Sequence, residues 1–318
     1  MSILVTGGAG YIGSVVVDHL IDRGQSVVVL DDLSVGHRDA VNGDAIWHQG
    51  AAGDVDSIRS VVAEHDVSAC VHFAGLISVG ESVREPHRYL DVNVGQSISL
   101  LRTLIDNGVS DVVFSSSAAV YGDPESVPIA EDHSRLPTSP YGSSKLMVEQ
   151  VLGELDRAGL MRSVALRYFN AAGASDRRRE RHDPETHLIP LAIGAALGNR
   201  DPLVVYGTDY PTPDGTAVRD YIHVDDLARA HLAALDYLSG EGATFAANLG
   251  NGSGYSVLEV IGAVERCGRP VPYTEGPRRA GDPARLVASA SLARERLGWK
   301  PDVTALDEIV ASAWQSLA

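Results

Sequence analysis

The sequence predicts an α/β protein built on a doubly wound parallel sheet, with a smaller C-terminal domain. Three observations predict it. Short apolar, strand-like runs alternate with amphipathic helical stretches between Ile3 and Tyr168. A glycine loop, Gly7-Gly8-Ala9-Gly10-Tyr11-Ile12-Gly13, joins the first strand to the first helix. Small residues recur where the strands end, the edge at which open parallel sheets leave room for a ligand.

The first strand, Ile3-Leu4-Val5-Thr6, runs into the G-x-x-G-x-x-G spacing of Gly7, Gly10 and Gly13. A helical pattern through Val15, Val16, Leu20 and Ile21 follows and stops at Gly24. Backbone without side chains can approach a pyrophosphate resting on that helix N-terminus, which is a dinucleotide site of Rossmann type. The second strand, Ser26 to Leu30, ends in Asp31, 18 residues past Gly13, where an acid accepts hydrogen bonds from the adenosine ribose hydroxyls. An acid there repels a 2'-phosphate, so NAD is expected over NADP, with His37 and Arg38 close by in opposition. Asp54 and Val55 follow a short third strand, a helix runs from Asp56 to His65, and a buried strand ends at Phe73-Ala74-Gly75. Helix continues across Pro86 to Asn107, and the strand Asp111 to Ser115 runs into Ser116-Ser117. Gly7, Asp31, Ala74, Ser115 and Tyr168 all fall at strand carboxyl ends.

Ser139-Pro140-Tyr141-Gly142-Ser143-Ser144-Lys145 opens the next helix. Residues four apart lie on one helical face, so Tyr141 and Lys145 project together. A phenol with a pKa of about 10 removes protons poorly at neutral pH, and a nearby ammonium is expected to move it towards working pH. The pair is thus a candidate general base.

The net charge of -16 argues against a nucleic acid or an anionic membrane surface as partner. No apolar stretch reaches membrane-spanning length, and a strand begins almost at once, so a cytoplasmic location is expected. Cys70 and Cys267 are read as reduced structural thiols. The 11 histidines show no pair at ligand spacing with a third partner, so no metal site is expected. From Asn170 the character changes. Arg177, Arg178, Arg179 and Arg181 are read as a solvated face, Arg219 and the Arg278-Arg279 pair as candidates for a nucleotide diphosphate, and about Ala305 to Leu317 as a closing amphipathic helix.

Several strings in the chain carry a resemblance that covers most of it, from Leu4 to about Trp314. They are Val5 to Ser14, His72 to Leu76, Val79 to Val83, Phe114 to Ala118 with Val120 to Asp123, Ser139 to Gln150, Arg167 to Asn170, Val218 to His223 and Pro277 to Asp282. In these the chain resembles the extended short-chain dehydrogenases/reductases, and within them the UDP-glucose 4-epimerase family. The resemblance implies an NAD-binding domain over residues 1–169. It implies a mainly nucleotide-sugar-binding domain over 170–318, with some segments returning to the first. It implies catalysis by Ser117, Tyr141 and Lys145. NAD contacts are implied at Gly7, Gly10, Tyr11, Ile12, Gly13, Asp31, Asp32, Asp54, Val55, Phe73, Ala74, Gly75, Asn93, Ser115 and Tyr168, besides Tyr141 and Lys145. UDP-sugar contacts are implied at Asn170, Leu188, Arg219, Arg279 and Asp282, with Tyr206 near the uracil and Ser117 and Tyr141 at the sugar. A homodimer through the helices of Asn93 and Lys145 is implied as well.

Three positions depart from the family pattern. Ile77 stands where a lysine often reaches the cofactor phosphates, which predicts a weaker hold on NAD. Thr186-His187-Leu188 replaces Asn-Asn-Leu, which makes His187 a candidate substrate contact. Leu286 stands where some members carry tyrosine, which predicts room for an N-acetyl group. Ala118 and Ala119 occupy the positions where a nucleotide-sugar 4,6-dehydratase needs an acid and a base, which disfavours that chemistry. A net dehydrogenase or a 4-epimerase of another UDP-sugar stays open on sequence alone. A non-catalytic sensing module has no use for Ser117, Tyr141 and Lys145 together.

Overall fold

The computed structural model describes residues 1–279 and 282–318, so Ala280-Gly281 of the Pro277 to Asp282 string lie outside the described residues. In chain order the elements begin with β1 (Ser2–Thr6), α1 (Tyr11–Asp22), β2 (Ser26–Asp31), β3 (Ile46–Gln49), α2 (Val55–His65) and β4 (Val67–His72). Next come α3 (Val79–Arg84), α4 (Pro86–Tyr89), a π-turn over Leu90–Gln96, α5 (Ser97–Asp106), β5 (Asp111–Ser117), α6 (Pro140–Arg157) and β6 (Arg162–Tyr168). The continuous helix expected to span Pro86 is therefore interrupted: α3 ends at Arg84, because a residue preceding proline is disfavoured in helical geometry, and Pro86 opens α4.

The C-terminal part holds β7 (Asn170–Ala172), α7 (Leu188–Leu197), β8 (Leu203–Tyr206), β9 (Val218–Arg219), β10 (Tyr221–His223), α8 (Val224–Ser239) and β11 (Phe245–Leu249). It ends with β12 (Tyr255–Ser256), α9 (Val257–Arg266), β13 (Tyr273–Gly276), β14 (Arg285–Leu286), α10 (Ser291–Leu297) and α11 (Leu306–Leu317). No described helix is long and apolar enough to cross a membrane.

Seven strands form one sheet in the order β3-β2-β1-β4-β5-β6-β11, every neighbouring pair parallel. The winding reverses between β1 and β4, and a crevice opens there off the strand ends. One face buries Val5, Val29, Val71, Val113, Leu166 and Leu249 against α1, α8 and α10. The other buries Leu4, Val28, Cys70, Val112 and Phe114 against α2, α5 and α6. Strands buried on both faces read as near-continuous apolar runs, which is why Val27-Val28-Val29-Leu30 shows no alternation. A separate core gathers α7, α9 and α11 around Ile193, Val264, Ile309 and Val310. Residue 170 is thus no clean boundary, since α8, β11 and α10 all belong to the seven-stranded layer.

Candidate active site

β5 and β6 run in register with Ser115 beside Leu166 and Ser117 beside Tyr168, so the catalytic candidates gather at one sheet edge. Ser139 caps α6 by accepting from the Gly142 amide at 3.1 Å, and Pro140 supplies a pre-set first helical residue. A side chain at Gly142 would meet the Ala119 carbonyl at 2.4 Å. Glycine there lets the helix press against the end of β5 and carry Tyr141 up to Ser117. The Ser117 hydroxyl accepts from the Ala119 amide at 3.2 Å, which leaves its proton to donate, and it lies in hydrogen-bonding contact with the Tyr141 phenol.

Lys145 is buried, donates to the Ser115 carbonyl at 2.8 Å, and has its ammonium 5.0 Å from the Phe114 ring and 5.9 Å from the Tyr141 ring. Burial lowers its pKa from 10.5 to about 8, opposed by the charge of Glu149 one turn further on. Burial also pushes Tyr141 above its ordinary value, and the Ser117 hydrogen bond only moderates this. The expected lowering of Tyr141 by Lys145 is therefore corrected: the ammonium is drawn to the Ser115 carbonyl, and desolvation of the phenol dominates.

The cofactor-side residues form a fitting cradle. Gly7 has φ +73°, and a side chain there would strike the Ala74 amide at 2.5 Å, so β1 and the Ala74 turn close on each other only with glycine between. A Cβ on Gly10 would meet nothing nearer than the Gly7 carbonyl at 3.3 Å, which leaves an open backbone face at the α1 N-terminus. Asp31 ends β2 and accepts from the Ala9 amide at 3.0 Å and the Leu33 amide at 2.9 Å, tying the glycine loop to the strand expected to bear the ribose. Burial raises its carboxyl, and those amides oppose the rise. Asp32 accepts from Ser34, and Asp54 caps α2, ahead of Val55, through the Asp56 and Ser57 amides. Phe73 stacks on His231 at 4.7 Å. Asn93 accepts from the Leu76 amide at 2.7 Å and donates to the Leu76 carbonyl and Ser144, so its amide orders the turn through Gly75. Tyr168 is buried with its hydroxyl bonded to Ser115.

On the C-terminal side, Arg219 pairs with Asp282 and donates to the Val218 carbonyl at 2.8 Å. The Arg279 guanidinium lies 4.1 Å over the Tyr206 ring. Asn170 donates to the Asp220 carbonyl at 2.9 Å, and Leu188 opens α7. Leu286 stands beside Arg219 in register and packs against Val120, Tyr121 and Ile129, the segment that leaves Ser117. Arg219 thus sits in the small β12-β9-β14 sheet, whose β14 packs through Leu286 against the segment leaving Ser117, while Arg279 lies against β8 of the β8-β13 pair.

Residues 3–250 match the sequence profile of the NAD dependent epimerase/dehydratase family. The chain belongs to that family. A UDP-glucose 4-epimerase of Streptomyces lividans is 50% identical over 315 residues, covering 98% of this chain and 94% of the relative. A crystal structure of UDP-glucose 4-epimerase from Brucella ovis in complex with NAD is 44% identical with a TM-score of 0.97, covering 99% of this chain and 98% of that one. The Bifidobacterium longum enzyme in complex with NAD+ and UDP is 40% identical with a TM-score of 0.94, over 99% and 98% of the two chains.

Of the four arginines read as a solvated face, Arg177, Arg179 and Arg181 are exposed, Arg177 pairing at the surface with Asp22 and Arg181 with Asp39, and only Arg178 departs from that reading, forking onto buried Asp18 at 2.7 and 2.9 Å. They fasten the segment across α1, helped by the Tyr11 hydroxyl on the Gly173 carbonyl at 2.6 Å. His187 meets the carboxylates of Glu180 at 2.7 Å and Glu185 at 2.9 Å through Nδ1, and its ring stays 40% exposed. Burial works against its charge, and the two hydrogen-bonded carboxylates prevail, pushing it up to about 10.

Sequence reading missed the supports. Buried Arg167 forks onto Glu149 at 2.9 and 2.6 Å and donates to the Tyr121 hydroxyl at 2.8 Å. Glu149 lies four residues past Lys145, so its place on the catalytic face was available from spacing. Asp220, fully buried, accepts from the amides of Asn251, Gly252 and Ala288 and fixes the turn that carries Arg219.

Proposed function

We propose that this chain interconverts UDP-galactose and UDP-glucose by transient oxidation at C4 of the hexose. The observation that carries the reading is the convergence of Ser117, Tyr141 and Lys145 at the end of β5, beside the glycine loop, with Arg219 and Arg279 on the C-terminal side. Tyr141 takes the proton of the sugar 4-hydroxyl, while Ser117, one lone pair held by the Ala119 amide, donates to the 4-oxygen and relays the proton through its other lone pair. Lys145 stays cationic because Glu149 opposes its desolvation, and its charge favours the phenolate as that forms. NAD would be held by the glycine loop, Asp31 and Lys145 and would supply the redox chemistry, reversible hydride exchange at C4 of the sugar. Arg219 and Arg279 hold the diphosphate, with Tyr206 at the base, so the hexose turns over while the nucleotide stays gripped.

Residues 1–169 with α8, β11 and α10 make up the cofactor unit of this reading. The remainder, centred on α7, α9 and α11, makes up the substrate unit. The exposed apolar residues Leu90, Ile98 and Met147 on the helices of Asn93 and Lys145 support a homodimer through that face. The free thiols Cys70 and Cys267 support a reducing, cytoplasmic setting. Proton NMR of the purified protein with UDP-galactose, with and without added NAD, tests the activity. UDP-glucose at equilibrium is the expected product, and conversion only with added NAD accords with Ile77 in place of a phosphate-reaching lysine. No conversion in either sample refutes the substrate assignment.

Half-buried Leu286, beside Arg219, favours a second substrate class, the N-acetylhexosamine nucleotides. Failure of both UDP-GlcNAc and UDP-GalNAc in a preparation active on UDP-galactose would sink it.

A further inference from the structure

The segment fastened over α1 carries Glu180, His182, Glu185 and His187, a Glu-x-His-x-x-Glu-x-His run within one loop. One donor atom from each lies within 4.8 Å of all the others. Glu180 Oε1 stands 2.9 Å from His182 Nδ1 and 2.7 Å from His187 Nδ1, and Glu185 Oε1 stands 2.9 Å from His187 Nδ1. Four donors about a tetrahedral zinc ion with bonds of about 2.0 Å sit roughly 3.3 Å apart, so the three close pairs open by a fraction of an ångström and the remaining pairs already lie within 4.8 Å.

We propose that Glu180, His182, Glu185 and His187 form a structural binding site for a divalent transition metal, zinc by donor type, which clasps the 170–187 segment over the glycine loop. Two imidazoles and two carboxylates are borderline donors suited to zinc and poorly suited to magnesium or calcium, which prefer oxygen alone. The ligands have the outer supports such sites use. Glu185 Oε1 accepts from the backbone amides of Thr186 at 2.7 Å and His187 at 2.8 Å, which fixes its carboxylate. The His182 ring meets Tyr11 edge-on at 6.3 Å, and the Tyr11 hydroxyl is tied to the Gly173 carbonyl. Glu180 is buried with its carboxylate between the two imidazoles, at 2.9 Å from His182 Nδ1 and 2.7 Å from His187 Nδ1. With four protein ligands the site is closed, the arrangement of structural rather than catalytic zinc. Its place matters because Tyr11 begins α1 and Leu188 begins α7, so the clasp lies between the cofactor cradle and the first helix of the C-terminal core.

The test is independent of which sugar turns over. The full chain, stripped with a chelator and dialysed, is titrated with zinc sulfate, read by calorimetry, metal analysis and thermal unfolding. The expected results are about one zinc retained per chain, a rise of several degrees in Tm, and loss of both in Glu180→Gln and His187→Asn. A second histidine group, His48 and His65 with exposed Glu64, serves as the control. The variant His48→Ala with His65→Ala keeps the zinc if the assignment is right. Zinc retained by Glu180→Gln and His187→Asn but lost in the control variant overturns the proposal. So does wild-type protein that takes up no zinc yet is destabilised by Glu180→Gln, since the four residues are then a self-satisfied hydrogen-bond cluster.

Discussion

Lys145→Met is expected to stabilise the fold while destroying the activity. The lysine is 4% exposed, and burial lowers its pKa from 10.5 to about 8 even with Glu149 opposing. At about 1.36 kcal/mol per pH unit, that difference corresponds to roughly 3 kcal/mol of stability withheld by keeping the side chain charged. Replacing it also removes the hydrogen bond to the Ser115 carbonyl, worth about 1 kcal/mol, so the net gain at pH 7 is roughly 2 kcal/mol. The sign follows from proton counts. Below about 8 both folded and unfolded lysine are protonated, and the folded state bears the whole penalty. Between about 8 and 10.5 the unfolded chain binds more protons, so stability of the wild type rises with pH; above 10.5 the penalty is gone. Urea unfolding of nucleotide-stripped protein at pH 7.0 and at about pH 9.5 measures both effects. The variant's advantage should be largest at pH 7 and shrink at the higher pH. A variant less stable than wild type at pH 7, or an advantage unchanged with pH, would refute the reasoning that Lys145 is held charged against its environment.

Tyr141→Phe is expected to lose about 10²–10⁴-fold in turnover while binding UDP as the wild type does, read by kinetics and calorimetry; near-normal turnover removes the proposed base. Glu149→Gln leaves buried Arg167 without its counter-charge and is expected to destabilise by about 3 kcal/mol. Pairing Glu149→Leu with Arg167→Met should recover most of that stability but not the activity, because Lys145 then lacks the charge that keeps it protonated. Leu286→Tyr is expected to cut turnover of UDP-GlcNAc by tenfold or more with UDP-galactose little affected, as steric exclusion of about 1–3 kcal/mol requires. Equal loss on both substrates would place Leu286 outside the sugar pocket.

The parts of this site that were legible in sequence are those whose geometry is local. Gly7 to Gly13 is a strand-to-helix turn, and Tyr141 and Lys145 share a helical face, so spacing alone places them. What was not legible depends on which elements the fold sets side by side. Arg167 reads as a strand residue and Glu149 as a surface helix residue until β6 and α6 are packed together, and then each carries its charge indoors against the other. In the arginine-rich segment local charge density predicts solvent exposure, which Arg177, Arg179 and Arg181 keep, but the acids that receive Arg177, Arg178 and Arg181, among them the buried Asp18 that draws in Arg178, lie more than a hundred residues earlier, on α1 and just beyond β2. Glu180 and His182 are not legible from histidine spacing, because in Glu180, His182, Glu185 and His187 acids alternate with the imidazoles within one loop. The catalytic tyrosine shows the limit of spacing from the other side. Four residues bring the ammonium to the correct face, yet the direction of the phenol's pKa is set by how completely the fold buries it, and that is a property of β5, α6 and Ser117 together.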